Sequence, residues 1–272
     1  MKLTSKLAMI SCTALWSIIA SAQVPEAPPP DTSGAPRSSL ALTPAIIMVR
    51  CKPGQSTTQT LSIVNNTASD VTFHVVIEDV VVHDGKRSFS PAGQIANGIA
   101  AGAVAVPASL VVKAGEEGSA QVTFTLPAGT EQRAVVTQFR AGLAPPGGGA
   151  IGLGASLGAL ITFSASSDYK MEIGPVQASL QTSEANVVLS QALRNNGTEP
   201  VVPKGVMVIL NASGKRVAKA PFAAQRLLPG EQLTFAATDP SQLAPGHYRT
   251  LSSFEYEGKV LTSPGEFVIP AL

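Results

Sequence analysis

The chain has 272 residues, 44% of them hydrophobic, with 19 Lys and Arg against 18 Asp and Glu. Such an even balance excludes a disordered polyelectrolyte, and the lack of basic blocks gives no electrostatic footprint for nucleic acid. Glycine (24) and proline (21) are frequent and aromatics make only 5%, the pattern of a turn-rich globular protein of one large domain or two modest ones.

Residues 1–22 read as a secretory signal. Lys2 and Lys6 precede an apolar stretch from Leu7 to Ile19, too short to span a bilayer comfortably, and Ala20-Ser21-Ala22 supplies the small residues for cleavage before Gln23. A lipoprotein site at Cys12 fits less well, because Leu15, Trp16, Ile18 and Ile19 continue the apolar run behind it. No later segment reaches about 18 apolar residues, so membrane contact is expected only through export. Loss of Lys2 and Lys6 turns the net charge from +1 to −1, and loss of Cys12 leaves Cys51 without an intramolecular disulfide partner. Cys51 is then a nucleophile, an intermolecular bridge or, more simply, a small apolar-like side chain near a strand end. Residues 23–39 are Pro-rich and form a solvated, extended tether.

Beyond the tether the segments are short, β-branched or alternating, with no amphipathic helix among them. Thr58 to Val64 alternates, with Leu61 and Ile63 inward, and ends at Asn65-Asn66. Val71 to Val82 is a long strand broken at His83-Asp84-Gly85-Lys86, where Asp-Gly suits a tight hairpin. Leu110 to Val112, Gln121 to Leu126, Arg133 to Leu143 and Ile151 to Ala165 complete a first unit, residues 40–166, of about seven strands. The pattern restarts over residues 167–272. Strands are expected at Met171 to Leu180, Val187 to Leu193, Val206 to Leu210, Leu233 to Ala236, Tyr248 to Tyr256 and Gly265 to Ile269. The fold class is therefore all-β, two immunoglobulin-like sandwiches after a signal and a tether. Both units carry a strand ending in paired asparagines, Asn65-Asn66 and Asn195-Asn196, where the backbone bends toward left-handed geometry. The Asn-x-Ser/Thr matches at Asn65, Asn196 and Asn211 are explained by the same turn chemistry.

Signatures of chemistry are weak. Gly152, Gly154 and Gly158 mimic a dinucleotide fingerprint, but they lie inside a β pattern rather than between a strand and a helix. His74, His83 and His247 lack ligand spacing, and no CxxC, HExxH or GxSxG is present. The adjacent pairs Glu78-Asp79 and Glu116-Glu117 face opposite ways on a strand or sit in a turn. No catalytic residue, cofactor, metal, small-molecule substrate or nucleic acid is expected.

Four phrases occur in order: Pro53-Gly54-Gln55-Ser56, Leu61-Ser62-Ile63-Val64-Asn65-Asn66, Leu110-Val111-Val112-Lys113-Ala114-Gly115 and Val122-Thr123-Phe124-Thr125-Leu126-Pro127. From about Leu42 to Ala165 the chain thus resembles the N-terminal domain of PapD-like periplasmic pilus-assembly chaperones. Leu243 to Arg249 looks like the turn-into-strand phrase of bacterial immunoglobulin-like modules, with Tyr248 as a corner tyrosine. The resemblance implies two sandwiches and a final strand that completes unfinished secreted subunits by strand addition. Ile151, Leu153, Ala155, Leu157, Ala159, Ile161 and Phe163 alternate without a break and are the expected partner-binding residues, an apolar ridge backed by the small Gly152, Gly154, Ser156 and Gly158. The competing expectation is an ordinary half-buried closing strand. The resemblance also implies a carboxylate-anchoring arginine on the first strand and lysine on the last. The arginine's place falls near Val49, with Arg50 one residue off and so facing the other way, and no Lys or Arg lies between Ala141 and Asp168. That basic pair is expected to be missing. Together these features suggest a non-catalytic polypeptide-binding chaperone, periplasmic or secreted. The alternative is a structural surface or scaffold module for adhesion or assembly.

Overall fold

The computed structural model describes residues 39–143, 153–181, 186–239 and 243–270. The signal and most of the tether lie outside these residues, as does Ile151. The strands form two sandwiches, as the alternation predicts.

The first sandwich holds β1 (Leu40–Thr43), β2 (Ile46–Arg50), β3 (Ser56–Asn65), β4 (Val71–His83), β5 (Lys86–Pro91), β6 (Val104–Val106), β7 (Ser109–Val112), β8 (Glu117–Thr125), β9 (Ala134–Leu143) and β10 (Leu153–Ser164). One sheet runs β1-β3-β8-β6; the other runs β2-β10-β9-β4-β5, with β7 also on β4. Side chains alternate across each strand, so Leu61, Ile63, Val122 and Phe124 of one sheet meet Phe73, Phe139, Ile161 and Phe163 of the other, all fully buried. Phe73 meets Phe139 edge-on at 6.4 Å, and Phe124 meets Phe163 at 5.7 Å. Burial of each ring is worth roughly 1.5–3 kcal/mol. The β4–β5 hairpin turns at Asp84 and Gly85, with φ of 49° and 75°, the double left-handed geometry that Asp-Gly favours. Glu78 and Asp79 do face opposite ways. Asp79 is buried and accepts the N–H groups of Ile99 and Ala100 at 2.8 and 3.1 Å, which begin a single 3-10 turn.

The second sandwich holds β11 (Met171–Gln181), β12 (Asn186–Asn195), β13 (Lys204–Leu210), β14 (Arg216–Phe222), β15 (Gln232–Asp239), β16 (Gly246–Tyr256) and β17 (Lys259–Ile269). Its sheets run β11-β12-β15 and β14-β13-β16-β17. Leu189, Leu193, Met207, Ile209, Phe235 and Phe254 fill the space between them. The Tyr248 hydroxyl donates to Ala244 O at 2.7 Å, so this residue ties strand to turn as expected of a corner tyrosine. β14 has no counterpart in the sequence reading. It is an edge strand, where Pro221 is tolerated because no second neighbour needs its missing N–H.

One stitch recurs. Asn65 is fully buried; its Nδ2 donates to Ser69 O and Val112 O, and its Oδ1 accepts the Thr67 N–H. Asn195 is also fully buried; its Nδ2 donates to Glu199 O and Leu227 O, and its Oδ1 accepts the Gly197 N–H. Gly115 and Gly230 donate to the two asparagine carbonyls at 2.7 and 2.8 Å. Ser69 thus corresponds to Glu199, Lys113 to Leu228 and Glu116 to Glu231. The first member of each pair is exposed; the second is buried where the sandwiches meet.

That junction packs Leu228 against Val80, Ala134 and Val136. Among the described residues three ion pairs cross it: Arg50–Glu257 at 3.0 Å, Arg133–Glu199 at 3.2 Å and Arg87–Glu231, with Arg87 also donating to Glu231 Oε2 at 2.8 Å. In every pair the arginine comes from the first sandwich and the glutamate from the second.

Candidate functional site: the open edge of strand β10

β10 has a different number of neighbours along its length. It pairs antiparallel with β9 from Leu153 to Thr162, but parallel with β2 only from Leu160 to Ser164. The reason lies upstream: after Pro44 and Ala45 the chain enters β2, whereas β1, before them, pairs with β3 in the opposite sheet. From Leu153 to Ala159 one side of β10 is thus an edge, with no strand paired to it among the described residues.

The direction of the main-chain groups follows from two bonds. The Phe163 N–H donates to Arg133 O on the β9 side at 2.8 Å, and the Leu160 N–H donates to Ala45 O on the opposite side at 2.9 Å. With a period of two, Gly154, Ser156 and Gly158 carry their N–H and C=O groups on the same edge as Leu160. All three are exposed and small, so nothing bulky stands beside the edge. Natural sheet edges are commonly guarded by charge or proline, yet no charged residue or proline occurs from Leu153 to Ser164.

The seven expected partner-binding residues divide. Ala159, Ile161 and Phe163 are fully buried in the first core. Their side chains are not an exposed ridge, because β2, β9 and the facing sheet enclose the strand from Ala159 onward. Ala155 and Leu157 are half-buried and pack against the same core. Leu153 begins the strand, with its side chain outside the described residues, and Ile151 lies outside them altogether. What the strand presents between Gly154 and Gly158 is principally main chain, flanked by two partly accessible apolar side chains.

The outer face beside this edge is polar and ordered. Gln138 Nε2 donates to Glu78 Oε2 at 2.6 Å, Arg140 donates to the same oxygen at 2.9 Å, and the Ser156 hydroxyl donates to Gln138 Oε1 at 3.1 Å. These residues come from three strands, and no linear spacing in the sequence announces them. Phe89 stands beside them with 57% of its surface exposed.

Val49 faces inward and is buried; Arg50 faces out and pairs with Glu257, as a one-residue slip dictates. A different arginine escaped the sequence reading. Arg226 reaches back from the second sandwich and donates through NH1 to Ile47 O at 2.9 Å and Thr162 Oγ1 at 2.7 Å. It borders a groove of about 620 Å³ shared with Ile46, Lys86, Arg87 and Leu160. Burial, and then the nearby Arg87, lowers its pKa from the ordinary arginine value. Cys51 is half-buried beside the first core, and burial pushes its thiol up, which disfavours the thiolate a nucleophile needs. His74 is exposed on β4.

No family model matches the chain, and no curated protein does. Among solved structures, the class 5 fimbriae chaperone CfaA shares 13% identity over 86% of this chain and all of its own, with a TM-score of 0.46. A Salmonella enterica SafA pilin–SafB chaperone complex matches at 13% identity over 87% of this chain and 99% of its own, TM-score 0.43. The E. coli chaperone DraB matches at 15% over 85% and 99%, TM-score 0.39. Each of the three is a chaperone or a complex that contains one. The fold is that of an all-β protein of two immunoglobulin-like sandwiches, and in the first of them β10 lacks a second neighbour over Leu153 to Ala159 among the described residues.

Proposed function

We propose that this protein is an exported, non-catalytic polypeptide-binding chaperone that holds secreted subunits by adding the open edge of β10 to them, in the manner of periplasmic pilus chaperones. The observation that carries this reading is the unguarded main-chain edge at Gly154, Ser156 and Gly158. Edge N–H and C=O groups supply affinity in strand addition, while alternate side chains select the register; here Ala155 and Leu157 are placed to do the selecting. The working compartment is the periplasm or beyond, with the signal cleaved after Ala22, and no cofactor takes part.

Proline at position 156 tests it. Ser156 offers its N–H to the open edge and not to β9, so Ser156→Pro removes a donor that the fold does not use. With the protein co-expressed in a periplasm with exported subunits, the wild type is expected to retain an incomplete subunit and Ser156→Pro to lose it, with little change in the unfolding midpoint. Ala155→Pro, which breaks the β9 ladder, should lower the midpoint itself. Retention of only fully folded proteins, insensitive to Ser156→Pro, would transfer support to the scaffold alternative.

A further inference from the structure

The edge half of β10 is built from Gly154, Ala155, Ser156, Leu157, Gly158 and Ala159. Strands of such small residues specify their register weakly, and a slip of one residue would turn the edge groups inward and the side chains over. Ala155, Leu157 and Ala159 bury a modest apolar area on one face, and contacts outside this half add to it. The other half, from Leu160 on, is gripped by the second sandwich at successive points. Arg226 NH1 bridges Thr162 Oγ1 on β10 and Ile47 O on β2, at 2.7 and 2.9 Å. Glu199, fully buried, accepts the Ala165 N–H and the Ser166 hydroxyl, both at 2.9 Å, just past the end of β10. The same carboxylate takes Arg133 Nε at 3.2 Å, and Arg133 O accepts the Phe163 N–H at the mouth of the β9–β10 ladder. Glu199 therefore holds the beginning of one strand and the end of its partner at one point. Its own turn is pinned by Asn195 Nδ2, which donates to Glu199 O at 2.8 Å.

We infer that the second sandwich is the fixed end of the receiving strand: Arg226 and Glu199 are positioning residues that lock the register in which β10 presents Gly154, Ser156 and Gly158. Neither residue needs to touch a client. The anchoring half of this inference stands on the contacts above; its consequence for capture rests on the function proposed in the preceding subsection.

The experiment uses the full exported chain and reads amide hydrogen exchange along β10 together with the unfolding midpoint. The double substitution Thr162→Val and Ser166→Ala removes one anchor from each positioning residue without leaving a new buried charge. The amides of Ala155, Leu157 and Ala159, which face β9, should then exchange at least about tenfold faster, the scale of losing even one of the two charge-assisted hydrogen bonds removed. Amides of β12 and β16 should be unchanged. Thr162→Ser, which keeps the hydroxyl, should exchange as the wild type does. Unchanged exchange at the three amides, or an equal acceleration in every strand, would overturn the inference, since the first denies anchoring and the second shows only lost global stability. Glu199→Gln should accelerate the same three amides if it folds; the double variant decides the matter if it does not. Faster β10 exchange with normal subunit retention would refute the link to capture and leave the anchoring intact. Failure of the wild type to retain any subunit, with the exchange pattern as expected, would defeat only the chaperone reading.

Discussion

Two buried asparagines carry more of the fold than their neighbours. Asn65 and Asn195 each satisfy two carbonyls and one N–H of a turn from a position without solvent access. Replacing Asn195 by alanine strands Glu199 O and takes one of two partners from Leu227 O and from the Gly197 N–H, at about 1–3 kcal/mol for a group left unpaired and less for one that keeps a partner. Asn195→Ala should therefore lower stability by roughly 2–4 kcal/mol in a urea titration, and exposed Asn196→Ala by less than about 0.5 kcal/mol. The sequence marked both phrases as turns, because paired asparagines bend a chain. It could not show that the first asparagine of each pair points inward, since that depends on where Val112 and Leu227 come to lie.

Asp79 gives a second test at this scale. Burial raises its pKa from the ordinary value, more than the Ala100 and Ile99 N–H groups lower it. Between the ordinary carboxylate pKa and the raised one, the folded chain binds a proton that the unfolded chain does not. Its contribution to stability is therefore greatest below the unfolded pKa and is lost as pH rises through the folded one. Asp79→Asn keeps an acceptor for both N–H groups and should abolish this component of the pH dependence of the denaturation midpoint. Asp79→Leu removes the acceptor as well and should cost about 2–4 kcal/mol at neutral pH.

Among the elements, strands with strong alternation were legible and weak ones were not. β3, β4, β8, β9 and β16 follow from period-two patterns and from turns such as Asp84-Gly85. β14 was invisible because Ala218 and Ala220 give little hydrophobic contrast and Pro221 argues against a strand; the neighbouring β13 makes it one. β10 shows where pattern stops being informative. Alternation revealed that two faces exist, but whether the apolar face looks into the core or out to a partner is decided by β2 joining at Leu160 and by β1 leaving for the other sheet. The strand itself was legible from its alternation, whereas the burial of Ala159, Ile161 and Phe163 in the core was not, because it depends on which strands come to enclose them. Close approach sets a further limit: a Cβ at Gly205 of β13 would collide with the Phe254 ring, which stacks on Phe222 at 4.8 Å. Gly205→Ala should cost about 1–3 kcal/mol by overpacking and lower the thermal midpoint accordingly.

At the level of the whole molecule, the junction couples the sandwiches. Glu199 and Glu231 are buried against half-buried arginines, so separating the halves would hydrate two buried carboxylates and expose Leu228, Val80, Ala134 and Val136. Calorimetry should accordingly show one unfolding transition rather than two. Arg133→Met, which leaves Glu199 buried without its cation, should cost about 3–5 kcal/mol, whereas Arg50→Met, at a pair whose arginine is 72% exposed, should be close to neutral. None of this coupling was visible in the sequence, where the paired residues stand 66 or more positions apart.

The repeated asparagine stitch places two similar turns in very different surroundings. In the second sandwich the stitched turn is a socket, with Glu199, Leu228 and Glu231 receiving Arg133, the Val80 patch and Arg87. In the first sandwich the same turn carries Ser69, Lys113 and Glu116 and faces solvent. A module bearing both plug and socket would join copies of itself head to tail, a heterologous contact that need not close and can grow into a filament. Here the plug sits on one sandwich and the socket on the other, so each is consumed within a single chain.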